Sequence, residues 1–281
     1  MTHFSGKGLI LSALALAAAV IALPSPARAD LLLVPQRIVF EEQDRAATLT
    51  LVNNGNETET YRISWKQLHQ LPDGQYTEIQ TPGPGEHFAD DMIRYSPRQV
   101  TLAPGEQQTV RLMLRKPADL PTGEYRSHLA FTAEPRQIQM PAAPGAANSN
   151  GKGLGVQLAF VYGVSIPVIV RQGQLNASAT LAMSLKPSSS GYDVLATIGR
   201  SGTESLYGDL VVDYRPPSGK PVQLQEVDGV SVLLPNTQRS TTIGVTLTPE
   251  QRHAGGQLQL IYRAPSEAGG GVLAETQKPI S

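Results

Sequence analysis

The chain has no cysteine and a single tryptophan among its 281 residues. Without cysteine there can be no disulfide framework, thiolate metal site or thiol nucleophile, so stability must come from apolar cores. A surplus of positive charge is also missing. Lysine and arginine number 23 against 24 acidic residues, with no Lys/Arg block, which argues against the phosphate neutralisation that nucleic-acid binding requires. No segment beyond residue 29 is long and apolar enough to span a membrane. None repeats apolar residues at i, i+3, i+4 and i+7 over a long stretch, so long amphipathic helices are not expected.

Catalytic signatures are equally scarce. The histidines are His3, His69, His87, His128 and His253, and no two stand at metal-ligand spacing or in an H-E-x-x-H motif. Gly199-Arg200-Ser201-Gly202 lacks the spacing of a G-x-S-x-G nucleophile elbow. Gly151-Lys152-Gly153 lacks the Ser/Thr that follows the lysine of a phosphate loop. Glu41-Glu42 and Asp90-Asp91 read as solvated charge. No catalytic residue, metal or cofactor is expected.

The first feature present is an export signal. His3 and Lys7 precede an apolar run at 8–23, Pro24-Ser25-Pro26 breaks it, and Ala27-Arg28-Ala29 supplies an A-x-A site. A weakly basic start, a short apolar run and small residues at the cut are the parts of a secretory signal peptide. Cleavage is expected after Ala29, an uncleaved anchor being the alternative. Removing Lys7 and Arg28 leaves 21 basic against 24 acidic residues, so the mature chain is mildly acidic.

The rest reads as strands punctuated by turns. Residues 47–53 (ATLTLVN) alternate and run into Asn53-Asn54-Gly55-Asn56; 61–65, 109–114 and 125–132 alternate again. Short alternating segments with 26 Gly and 22 Pro predict an all-β protein of sandwich type. Residues 136–155, rich in Ala, Gly, Pro and Asn, read as a long loop or a linker. The longest β-like run follows at 156–170 (VQLAFVYGVSIPVIV). One face carries Val156, Leu158, Phe160, Tyr162, Val164, Ile166, Val168 and Val170, and the other is mostly small or polar. Pro167 cannot donate to a ladder, which places that part at an edge or a bend. After Arg171 the strand pattern restarts, at 175–185, 192–198, 209–214, 230–234, 241–247, 257–262 and 272–276. The expected organisation is a signal peptide (1–29), a first domain (30–171) and a second sandwich (172–281).

Four stretches in order resemble a known family. They are Gln36-Arg37-Ile38-Val39-Phe40; Ser96-Pro97 with Pro104-Gly105 and Val110-Arg111-Leu112; Asp119-Leu120-Pro121 with Arg126-Ser127 and Phe131; and the 156–171 strand behind its long loop. In these the mature chain resembles the PapD-like periplasmic chaperones of chaperone–usher pilus systems. The resemblance implies two Ig-like domains in a boomerang. It implies pilus or fimbrial subunits as partners, bound by donor-strand complementation and handed to an outer-membrane usher. By position, the lending residues are Val156, Leu158, Phe160 and Tyr162, while Ile166, Val168 and Val170 face the chain's own core. The alternative for the lending residues is that they too face that core. Arg37 matches the first member of the basic pair that grips a subunit's C-terminal carboxylate, a task suited to a guanidinium. The second member, expected near 165–167, is absent, with Arg171 or Arg94 as candidate substitutes. The cysteine pair of long-loop members is absent too, which marks a divergent branch. An exported Ig-like structural or adhesive module is the second reading, and an exported hydrolase the third.

Overall fold

The computed structural model describes residues 31–135 and 162–280. The expected signal peptide at 1–29, the loop at 136–155, and Val156, Leu158 and Phe160 lie outside the described residues.

Within them the chain is nearly all β, as the alternation predicts, and builds two β-sandwiches in sequence. In the first, one sheet has the order Leu31–Val34, Ala46–Asn53, Gln107–Leu114, Ile93–Ser96. The facing sheet has the order Ile38–Phe40, Gly163–Gln172, Gly123–Ala133, Glu59–Lys66, Gln99–Leu102. Period-2 side chains meet between the sheets. Leu49 and Leu51 from one, and Phe40, Leu129, Phe131, Val168 and Val170 from the other, are fully buried in one cluster. The Asn-rich turn after the second strand of this first sheet is pinned from inside: buried Asn53 donates through Nδ2 to the carbonyls of Glu57 (2.8 Å) and Leu102 (2.9 Å). Tyr125 donates its hydroxyl to the carbonyl of Pro121, four residues upstream, at 2.9 Å, a corner of the kind seen in Ig-like sandwiches.

The second sandwich sets Ala177–Pro187, Gly191–Gly202 and Gln238–Thr246 against Val222–Val232, Leu206–Arg215, Gly256–Arg263 and Val272–Ile280. Val194, Ile198, Leu210, Val212, Leu258, Leu260 and Tyr262 fill a separate core. Among the described residues one short α-helix, Pro249–Ala254, interrupts the strands. Thr248 and Gln251 cap it reciprocally, the Thr248 hydroxyl accepting from Gln251 N (3.2 Å) and Gln251 Oε1 from Thr248 N (2.8 Å).

A hairpin absent from the sequence reading, Leu68–Gln70 with Tyr76–Glu78, straps the two sandwiches together. Buried Gln70 donates through Nε2 to Ser231 Oγ (3.2 Å) and accepts at Oε1 from Leu233 N (2.9 Å). Ser240 N donates to the carbonyl of Pro72 (2.8 Å). At the tip, Gly74 has φ +87°, a backbone conformation that glycine adopts without strain. Beside the strap, Arg126 Nη1 donates to the carbonyl of Leu234 (2.9 Å). Ser205 gives Glu124 both its N–H (3.0 Å) and its hydroxyl.

Candidate subunit-binding strand and cleft

The Gly163–Gln172 strand is paired unequally on its two sides. Along one side it runs antiparallel to Gly123–Ala133 from Gly163 to Gln172, and the ladder reaches one residue further, Ala133 N donating to the carbonyl of Tyr162 at 3.0 Å. On the other side only Val168, Ile169 and Val170 are covered, by the short parallel strand Ile38–Phe40. Among the described residues nothing pairs with the open side of residues 163–167. This places Pro167 at the strand's uncovered edge, where its missing N–H costs no ladder bond.

The alternating face changes character along its length. Val170 and Val168 are 0 % exposed and Ile166 is 3 %, while Val164 is 40 % and Tyr162 is 41 % exposed. Ile166, Val168 and Val170 thus face the core as expected. The same row then leaves the sandwich and presents Val164 and Tyr162 to solvent. Tyr162 directs its hydroxyl to Glu59 Oε1 at 3.2 Å. Val164 was not singled out as a contact residue from the sequence, although it lies in the same alternation.

Where the Ile38–Phe40 strand begins, Arg37 enters a cleft of about 970 Å³ between the sandwiches. The cleft is lined from the first sandwich by Arg37, Glu41 and Arg171, and from the second by Glu204, Tyr207, Asp209, Glu226, Asp228, Arg263 and Glu267. Part of this charge is paired within the cleft. Arg171 bridges Glu41 (3.0 Å), Glu204 (3.3 Å) and Glu124 (3.5 Å), and Arg263 pairs with Glu226. The carboxylates of Asp209, Glu226 and Asp228 lie within 4.8 Å of one another, with Asp209 Oδ1 accepting from Gly229 N at 2.9 Å.

Arg37 differs from its neighbours. Its guanidinium carbon lies 4.1 Å from the centre of the Tyr207 ring, and it has no ion pair among the described residues. Burial, followed by the nearby charge of Arg171, pushes its pKa below the usual arginine value. Both causes oppose the charged form, and the attraction of an external anion would act against them. Of the two candidate second cations, Arg171 lines the same cleft, but three carboxylates already hold it. Arg94 is exposed on the Ile93–Ser96 strand of the other sheet, opposite Met113, and takes no part.

No family model and no curated protein matches this sequence. Among solved structures, the chain is similar to the YadV chaperone at 11 % identity and TM-score 0.41, covering 90 % of this chain and 100 % of that one. It is similar to the CsuC–CsuE chaperone–tip subunit pre-assembly complex from the archaic chaperone–usher Csu pili of Acinetobacter baumannii at 15 % and 0.42, covering 90 % and 98 %. It is also similar to the class 5 fimbriae chaperone CfaA at 12 % and 0.39, covering 89 % and 99 %.

Proposed function

We propose that this protein is a periplasmic chaperone of pilus or fimbrial subunits, acting by binding rather than by catalysis. It would lend the open edge of its Gly163–Gln172 strand, extended upstream through Phe160, Leu158 and Val156, to a subunit that lacks a strand. It would then pass that subunit to an outer-membrane usher. The observation that carries this reading is the strand itself, with an uncovered edge at 163–167 and an alternating row that leaves the core at Val164 and Tyr162. An unpaired edge beside exposed apolar side chains is a template for another chain. Main-chain bonds would supply affinity, and alternate side chains the choice of partner. Arg37, at the point where the edge closes, is the proposed anchor for the subunit's terminal carboxylate, to which a guanidinium can bond bidentately. Arg171 is left in a structural role by its three partners. Export would remove residues 1–29.

The test is capture from the native cell envelope with tagged mature protein, comparing wild type with Leu158→Glu, Phe160→Glu, Tyr162→Glu and Arg37→Ala. A small exported β-rich protein is expected with wild type and lost from the strand variants. Retention by all of the strand variants would remove the strand from the mechanism and favour an Ig-like module that binds by another surface.

A further inference from the structure

Arg37 stands among six carboxylates that line its cleft, Glu41, Glu204, Asp209, Glu226, Asp228 and Glu267, yet it pairs with none of them. A long cationic side chain with that choice of partners normally folds onto one. What holds it instead is an aromatic face from the other sandwich, since Tyr207 belongs to Leu206–Arg215 and Arg37 leads into Ile38–Phe40. A partly desolvated guanidinium over a tyrosine face is held by the ring quadrupole, and the ring consumes none of its in-line hydrogen-bond donors.

The ring is itself seated. Between Gly208 and Leu210 the pairing with the neighbouring strand slips, leaving Asp228 and Gly229 outside the regular ladder. Gly229 adopts φ +69°, and a Cβ there would stand 3.1 Å from the Tyr207 hydroxyl oxygen. The bulge therefore makes room for the phenol with a residue that has no side chain. Gly208, next along the strand, has the Arg263 carbonyl 2.4 Å from where its Cβ would be, so the neighbouring strand approaches closely beside Tyr207.

We propose that Tyr207 is a positioning residue: it holds the Arg37 guanidinium off the cleft's own carboxylates and keeps its N–H donors available to a carboxylate brought by the ligand. This rests on the reading of Arg37 as the anchor. Because the two residues belong to different sandwiches, the anchor is competent only while the present alignment of the sandwiches is kept.

The test uses the full mature chain, ¹⁵N-labelled, with the Arg37 Nε–Hε resonance identified by its absence in Arg37→Lys. N-acetylphenylalanine, which has a free carboxylate, and N-acetylphenylalanine amide, which has none, are titrated in. In wild type the acid is expected to shift that resonance saturably and the amide not to. Tyr207→Phe keeps the ring and should bind the acid within about twofold of wild type, whereas Tyr207→Leu should bind on the order of five- to tenfold more weakly. The ring-current displacement of the Arg37 signal should survive in Tyr207→Phe and vanish in Tyr207→Leu, a change that general loosening of the fold would not confine to this residue. If Tyr207→Leu binds the acid as wild type does, Tyr207 has no positioning role and the anchor stands. If wild type does not distinguish acid from amide, the anchor reading fails and the role of Tyr207 fails with it. Should Tyr207→Leu not fold, the unaltered protein still decides: an Arg37 signal without ring-current displacement overturns the proposal.

Discussion

Acidification should weaken this fold through one histidine. His128 sits on Gly123–Ala133, 2 % exposed, facing the strap, with its ring edge-on to Tyr76 at 5.4 Å between centroids. Neither ring nitrogen has a hydrogen-bond partner among the described residues. Burial, and then the neighbouring positive charge of Arg126, pull its pKa down from 6.5 to about 3. The folded value lies below the unfolded one, so the unfolded chain takes up the proton first. His128 therefore subtracts nothing well above pH 6.5, subtracts steadily more as pH falls from 6.5 towards 3, and adds no further loss below that. At pH 5 the unfolded chain is about 1.5 units below its own pKa while folded His128 is still neutral. At about 1.4 kcal/mol per unit, the loss is about 2 kcal/mol relative to neutral pH. Urea unfolding at pH 7 and pH 5 measures it directly, with His128→Phe as the reference, because phenylalanine fills a similar volume and cannot be protonated. Every other titrating group is common to both proteins, so wild type should lose about 2 kcal/mol more than the variant over this interval. Equal losses in the two proteins would refute the reasoning.

Three further outcomes follow from the geometry. Val164→Glu alters an exposed side chain, so it should leave the unfolding free energy from urea titration within about 0.5 kcal/mol of wild type while sharply reducing subunit capture; a matching loss of stability would show that Val164 serves the core. Gln70→Ala leaves Leu233 N and Ser231 Oγ without their buried partner and should cost about 1–3 kcal/mol, with faster hydrogen exchange at residues 68–78 and 231–236 as the local signature. Gly191→Ala would place a Cβ 2.1 Å from the Val245 carbonyl and 3.1 Å from Leu247 N, forcing Gly191–Gly202 away from Gln238–Thr246 at a cost of about 1–3 kcal/mol; an unchanged midpoint would count against that contact.

Period-2 patterning made the sandwiches legible because burial in a sheet is written locally. Leu49 and Leu51 alternate with Thr48 and Thr50, which puts both leucines on the core face, and Ile166, Val168 and Val170 could be assigned to the core before any contact was known. The turn at 53–56 was readable for the same reason, although buried Asn53 as its inner brace was not. The strap was missed because its hold on the second sandwich is polar and distant. Gln70 meets Ser231 and Leu233 some 160 residues away, and a buried glutamine looks in sequence like any solvated one. Arg37 is singled out only by the resemblance of Gln36–Phe40 to a known family's first strand. Its aromatic partner could not be picked out, since Tyr207 lies on a strand whose bulge depends on Gly229 across the ladder. The helix Pro249–Ala254 had its capping box in plain view at Thr248 and Gln251, but six residues are too few to show a helical period.

The short strand Ile38–Phe40 does more than cover three residues of its neighbour. It lies parallel to Gly163–Gln172, with Ile38 opposite Val168, so Arg37 stands where the open edge ends. A guest chain laid along residues 163–167 with its last carboxylate at Arg37 must run in the same direction as its host, with its earlier residues towards Tyr162. On the proposed reading Arg37 would be the zero mark of a ruler graduated at about 3.3 Å per residue. Counting back from its own C-terminus, each guest residue would be assigned the host side chain it lies beside, and a tail one residue too long or too short would turn its other face to the row.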